Sequence, residues 1–158
     1  LRHRNHSPRQ PAVHALALRT YQLSTVVHVG TESCDELEDY CRLGARRIVL
    51  PGGKSPSEAI GNFAGTISFM ALDSALLASR PPSRDLLFIA DEASEEDVFR
   101  VTPVDVLQRF RWIATPGNDA VAASLQAVGF REIPLPADHS GQARLLLFES
   151  IPTTSPLD

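Results

Sequence analysis

The chain has 158 residues, 43% of them apolar and 22% charged, the composition of a globular domain with room for one core. Its formal charge of −4 is unevenly laid out: residues 1–20 hold Arg2, Arg4, Arg9 and Arg19 and no acid, and the remaining 11 basic residues face all 19 acids. A body that acidic argues against nucleic acid as the partner, and no apolar run nears the roughly 20 residues of a membrane span. The chain opens on Leu1 and its single methionine is Met70, as expected of a processed chain or a segment of a longer protein.

Residues 1 to about 12 are polar, with Pro8 and Pro11, and read as mobile. The following AVHALALRTYQL is apolar enough to pack on the body as a helix or an extended arm. The expected organisation is therefore an N-terminal arm over 1–20, mobile or packing, a domain over 21–151 and a polar tail over 152–158. His3, His6 and His14 lack neighbouring acids and read as solvated rather than metal-binding.

Thr25 to Leu50 is the organising stretch. Val26, Val27 and Val29 form an apolar run that ends at Gly30, the pattern of a buried strand and a tight turn. Ser33 and Glu36 fit a capping box, Leu37, Tyr40 and Cys41 recur at helical spacing, and Gly44 stands where a left-handed C-terminal residue is wanted. Ile48, Val49 and Leu50 make a second buried strand. A strand, a short turn and a capped helix bring the helix N-terminus beside the strand end, where α/β proteins bind nucleotides. Cys34 and Cys41 lie seven apart on this predicted helix, two turns from each other and too far for a disulfide. They read as packing residues in a reducing, cytoplasmic compartment.

Pro51, Gly52 and Gly53 then turn the chain, and Ser55, Pro56 and Glu58 fit a helix start. The string Gly-Gly-Lys-Ser lacks the spacing of a phosphate loop. Thr66 to Phe69 reads as a strand, and Leu72, Leu76 and Leu77 as one face of a helix stopped by Pro81 and Pro82. Leu86 to Ile89 is a buried strand with Asp91 and Glu92 at its carboxyl end, followed by Glu95, Glu96 and Asp97. These acids can position a substrate group or act as a base; equally, acids favour the first turn of a helix for dipole reasons. Thr102 and Pro103 start a helix with Val106, Leu107 and Phe110 inward, and RWIAT is the next strand. Asn118 caps a helix carrying Val121, Ala122, Leu125 and Val128, closed by Gly129. FREIPL and ARLLLFES are the right lengths for a terminal antiparallel hairpin, with His139 solvated on its loop. Repeated βα units followed by a hairpin predict one α/β domain with a mostly parallel sheet.

In this order the segments resemble the FkbM family of S-adenosylmethionine-dependent methyltransferases over about residues 24–150. HVGTESCDELEDYCRLGARRIVL is similar to the family's first motif, TISFMALDSALL to its segment ending in a Thr-Leu-Asp box, and DLLFIADEASEEDVFR to its Lys-Ile-Asp-Val-Glu-Gly motif. RFRWIAT and LQAVGFREI are similar to its C-terminal half. The resemblance implies a Rossmann-like methyltransferase fold with an antiparallel C-terminal hairpin, shortened after the second strand. It also implies O-methylation of a sugar or small-molecule hydroxyl. Cofactor-binding roles fall on His28, Gly30, Thr31 and Glu32, and the roles nearest the chemistry on Asp91 and Glu92, with Glu95 matching a further acid.

The chain departs from that pattern around the cofactor. Cys34 replaces the second glycine of the first motif, and Pro51 stands where the acid that holds the ribose hydroxyls is expected. Ala90 and Ala93 replace the aspartate and glycine of the fourth-strand motif, and Leu50 to Thr66 is too short for the usual helix, strand and hairpin. Losing a ribose-binding carboxylate costs on the order of 1–3 kcal/mol, and several such losses cut affinity by orders of magnitude. The expectation is a degenerate methyltransferase-like domain that works through a protein partner or a flanking domain and binds no cofactor. The alternative is an active enzyme using S-adenosylmethionine on a hydroxyl acceptor.

Overall fold

Short runs of valine, isoleucine, leucine and phenylalanine between turn residues make strands buried on both faces, and these runs set the architecture. The computed structural model describes residues 10–19, 22–30, 39–51, 66–70, 85–117, 119–135 and 145–151. Its strands are β1 (Thr25–Val29), β2 (Arg47–Pro51), β3 (Thr66–Met70), β4 (Leu86–Ile89), β5 (Trp112–Thr115), β6 (Phe130–Ile133) and β7 (Leu146–Ser150). Helix α1 (Gln10–Ala17) precedes them; α2 (Glu92–Val101) and α3 (Val104–Leu107) lie between β4 and β5, and α4 (Asp119–Ala127) between β5 and β6.

The seven strands form one sheet in the order β3-β2-β1-β4-β5-β7-β6. β1 pairs in parallel with β2 and β4, β2 with β3, and β4 with β5, whereas β7 runs antiparallel to both β5 and β6. The terminal hairpin expected from the sequence is therefore present, and its second strand inserts between β5 and β6. Sheet order and strand direction together are those of an open, Rossmann-like α/β sheet with an antiparallel edge. The crossover from β2 to β3 is residues 52–65, close to the shortest that can join parallel strands.

Alternation along the strands divides the core in two. Val26, Ile48, Leu86, Phe88, Ala114 and Leu147 face one side, where Ala12, Val13, Ala15 and Leu16 of α1 and Tyr40 and Leu43 pack on them. Val27, Val49, Leu87, Ile89, Ile113 and Phe148 face the other, covered by Val98, Val106, Leu107, Phe110 and Leu125. The arm thus takes its packing alternative as a helix: α1 begins at Gln10, two residues before the AVHALALRTYQL segment, and Ala12 at the head of that segment is buried.

Residues 39–42 are helical and end as the glycine predicts. Gly44 has φ +87, its amide donates to the Cys41 carbonyl, and the Ala45 amide donates to that of Tyr40, the paired bonds of a Schellman cap. Cys41 is exposed on this segment, so its expected packing role is corrected: Tyr40 and Leu43 take the buried face. Thr102 closes α2 rather than opening the next helix, and α3 is a single turn begun at Pro103. The expected caps at Ser33, Glu36 and Asn118, the helices around Ser55 and Leu72, Cys34, the Gly-Gly-Lys-Ser string and His139 lie outside the described residues.

Candidate functional site at the switch point of the sheet

Strand order reverses between β1 and β4: the chain moves outward to β2 and β3 on one side and to β5 on the other. Ligands of open α/β sheets bind outside the carboxyl ends of the strands at such a point. Val29 pairs with Ile89, so Gly30 and Ala90 emerge side by side, and the Ala90 amide donates to the Val29 carbonyl at 2.8 Å. Pairing of Val27 with Val49 sets Pro51 level with Val29, one residue before the turn, on the other flank of β1.

Gly30 has φ +116, a conformation that side chains rarely adopt. A Cβ there would meet Asp91 Oδ2 at 2.7 Å, the Ala90 Cβ at 3.0 Å and Ser94 Oγ at 3.1 Å. The glycine therefore lets the start of α2 lie directly against the β1 turn. Asp91 is extended (φ −145, ψ 167) and is the N-cap of α2, its Oδ1 accepting from the Ser94 amide at 2.8 Å. One oxygen of its carboxylate thus caps the helix while the other lies over Gly30. Glu92 is exposed on the first turn beside it.

Glu95 is buried, one turn into α2. Its Oε2 accepts from the Thr115 hydroxyl at the end of β5 and from the amide of Gly117, tying α2 to the next strand end. A charged acceptor with two donors is a strong structural link, and it explains an acid on the buried stripe of the helix, three residues before Val98.

His28 stands two residues before the turn, 3% exposed, with its ring in the α1-side core. It lies nearly parallel to Phe88, ring centres 5.2 Å apart, and Nδ1 is 2.6 Å from the Tyr40 hydroxyl. The structure thus brings Gly30, Asp91 and Glu92 to the switch point and sets His28 beneath it; Thr31 and Glu32 lie outside the described residues. Against S-adenosylmethionine the described edge is an incomplete fit. The Asp91 carboxylate lies against Gly30, and β2 ends on proline, whose side chain carries no acceptor. A cavity of about 10 Å³ between α1 and the sheet, touching Leu16, Tyr40, Leu43 and Phe88, is no larger than a water. Among the described residues no group of histidines, cysteines and acids could hold a metal ion, and no helix is long and apolar enough to cross a membrane.

Sequence reasoning missed a second constellation, at the opposite edge of the sheet. Glu149 of β7 is 7% exposed and pairs across the strands with Trp112 and Arg131. Its Oε2 accepts from the Trp112 indole N–H at 3.1 Å, and its Oε1 accepts from Arg131 at 3.3 Å. Arg111 and Arg19 approach the same carboxylate to 3.7 and 3.8 Å. The available signal was a run of basic residues placed just before strands, as in Arg46-Arg47 and Arg109-Phe110-Arg111.

No protein-family model and no curated protein matches the sequence. Among solved structures, the chain is similar to the crystal structure of a Streptococcus pneumoniae protein described as a tRNA (m1A22) methyltransferase, in complex with S-adenosyl-L-methionine. Identity is 13% and the TM-score 0.58, with 91% of this chain and 74% of that chain covered. The likeness establishes the methyltransferase fold.

Proposed function

We propose that this chain is a degenerate methyltransferase-fold domain of the FkbM type, working through contact with a protein partner or flanking domain and not by cofactor turnover. The observation that carries the proposal is the Asp91 carboxylate, which caps α2 and fills the space beside Gly30. The glycine that resembles a cofactor-binding residue already has a packing reason to be glycine. The residue types around it support the same reading: Pro51 and Ala90 stand where the resemblance expects acids. The compartment assigned is the cytoplasm, in keeping with an exposed cysteine, Cys41.

A second reading is favoured by one observation, the exposed Glu92 next to Asp91 at the carboxyl end of β4. In it the chain is an active O-methyltransferase, with His28, Gly30, Thr31 and Glu32 on the cofactor side. Asp91 or Glu92 would accept the proton of a sugar or small-molecule hydroxyl, and the bound cofactor would supply the methyl group to that oxygen and be left as S-adenosylhomocysteine. Calorimetric titration with S-adenosylmethionine and S-adenosylhomocysteine decides between the two. The first reading expects no heat at millimolar ligand in a folded sample; micromolar binding overturns it and makes Glu92→Ala the next variant to assay.

A further inference from the structure

We propose that the amino-terminal edge of the sheet, centred on Arg19, Arg111 and Arg131, is a docking site for an acidic segment of a partner protein. This deepens the protein-contact reading by naming the face and the partner's chemistry. Of the eight arginines among the described residues, two are paired one helical turn away with an acid, Arg42 with Asp39 and Arg100 with Asp97. The other six, Arg19, Arg46, Arg47, Arg109, Arg111 and Arg131, all fall before or at the start of strands. Parallel topology gathers those positions on one edge, and it sends Asp91, Glu92, Glu96 and Asp97 to the other. Asp85, Glu132 and Glu149 share the amino edge with those six arginines, so among the described residues that edge is basic by excess, not free of acid.

At the centre of the basic pole three guanidinium groups share one carboxylate. Only Arg131 is within hydrogen-bond reach of Glu149, and the indole of Trp112 takes part of that carboxylate's capacity. Arg19 and Arg111 stand off at 3.8 and 3.7 Å, their side chains 32% and 41% exposed. The Arg111 guanidinium stacks over Trp112 at 5.5 Å, while its Nε is buried without an acceptor. The cluster thus holds surplus positive charge and a fixed, partly desolvated fork, the arrangement by which arginines take up carboxylates.

The dimensions favour a short acidic peptide over a nucleic acid. From β2 to β6 the edge spans five strand spacings, about 24 Å, which an extended segment of about seven residues covers. Apart from those six arginines the chain has 9 basic residues against 19 acids, so a long phosphate backbone would run off the patch onto repelling surface.

The test is fluorescence anisotropy of a labelled Asp/Glu heptapeptide titrated with the full chain at low salt. Binding that weakens with salt is expected, and Arg19→Gln with Arg111→Gln should reduce affinity about tenfold or more. That pair leaves the Arg131–Glu149 bond in place, so an unchanged melting temperature separates docking from a structural role. Arg42→Gln with Arg100→Gln removes the same charge from arginines already paired with Asp39 and Asp97 and should reduce affinity far less. Absence of peptide binding, equal loss in the control pair, or tighter binding of an oligouridine of about 12 nucleotides would each overturn the proposal. The result is independent of the cofactor titration, so either reading can fail alone.

Discussion

Replacing Gly30 with alanine tests the reading of the switch point most directly. The φ of +116 lies in territory that costs an L-residue roughly 1–2 kcal/mol. The added methyl would lie 2.7 Å from Asp91 Oδ2, and that carboxylate cannot simply swing away, because its other oxygen accepts from the Ser94 amide. Displacing it costs the helix cap, about 1 kcal/mol, or else the turn shifts against the Ala90 Cβ at 3.0 Å. The sum is about 2–4 kcal/mol, a large share of the 5–15 kcal/mol expected for a domain. For a chain of 158 residues that corresponds to a fall in melting temperature of roughly 4–16 °C. Thermal and urea denaturation followed by circular dichroism measure it. A variant that melts within about 2 °C of the parent would refute the packing account. Gly30 would then be free of the β4–α2 junction, and a ligand would again be the best reason for a glycine there.

The neighbouring acids give two further expectations. Asp91→Asn keeps an N-cap acceptor and should leave stability within about 0.5 kcal/mol, while Asp91→Ala should lose about 1 kcal/mol, compared by urea midpoints. If both variants lose equally, the carboxylate charge rather than the cap holds this end of α2. Glu95→Ala removes the acceptor shared by the Thr115 hydroxyl and the Gly117 amide and should cost about 2–4 kcal/mol. Hydrogen exchange in that variant should speed up at Gly117 and along β5, and unchanged protection there would disprove the link.

Much of the scaffold was legible because each strand is a short apolar run bounded by turn residues. Val26–Val29, Ile48–Leu50, Leu86–Ile89 and Trp112–Thr115 need no long-range information to be read as strands, and Gly44 and Gly129 mark the chain stops they were expected to mark. What pattern could not supply is pairing between distant segments. Nothing local to Leu146–Ser150 says that it inserts between β5 and β6, so the meeting of Glu149 with Trp112 and Arg131 was invisible. The acids after β4 were ambiguous for a different reason: a helix N-terminus and a catalytic carboxylate ask for the same residue type. Geometry divides them, with Asp91 capping, Glu95 buried against Thr115 and Glu92 exposed.

The two edges of the sheet are unequal in what holds them. At the carboxyl edge, three of the described residues singled out by the resemblance are engaged by the protein itself, Gly30 with the start of α2, His28 with Tyr40 and Phe88, and Glu95 with β5, while Glu92 is exposed. Each engagement stabilises the fold without a ligand. At the amino edge the balance runs the other way, since three arginines converge on one carboxylate whose acceptor capacity is already divided. Surplus charge held at a surface is a ready site for an anion. Gly30, His28 and Glu95 at the carboxyl edge are met by the fold itself, whereas Arg19 and Arg111 at the amino edge stand off their one carboxylate, so among these described residues the unmet charge lies at the amino edge.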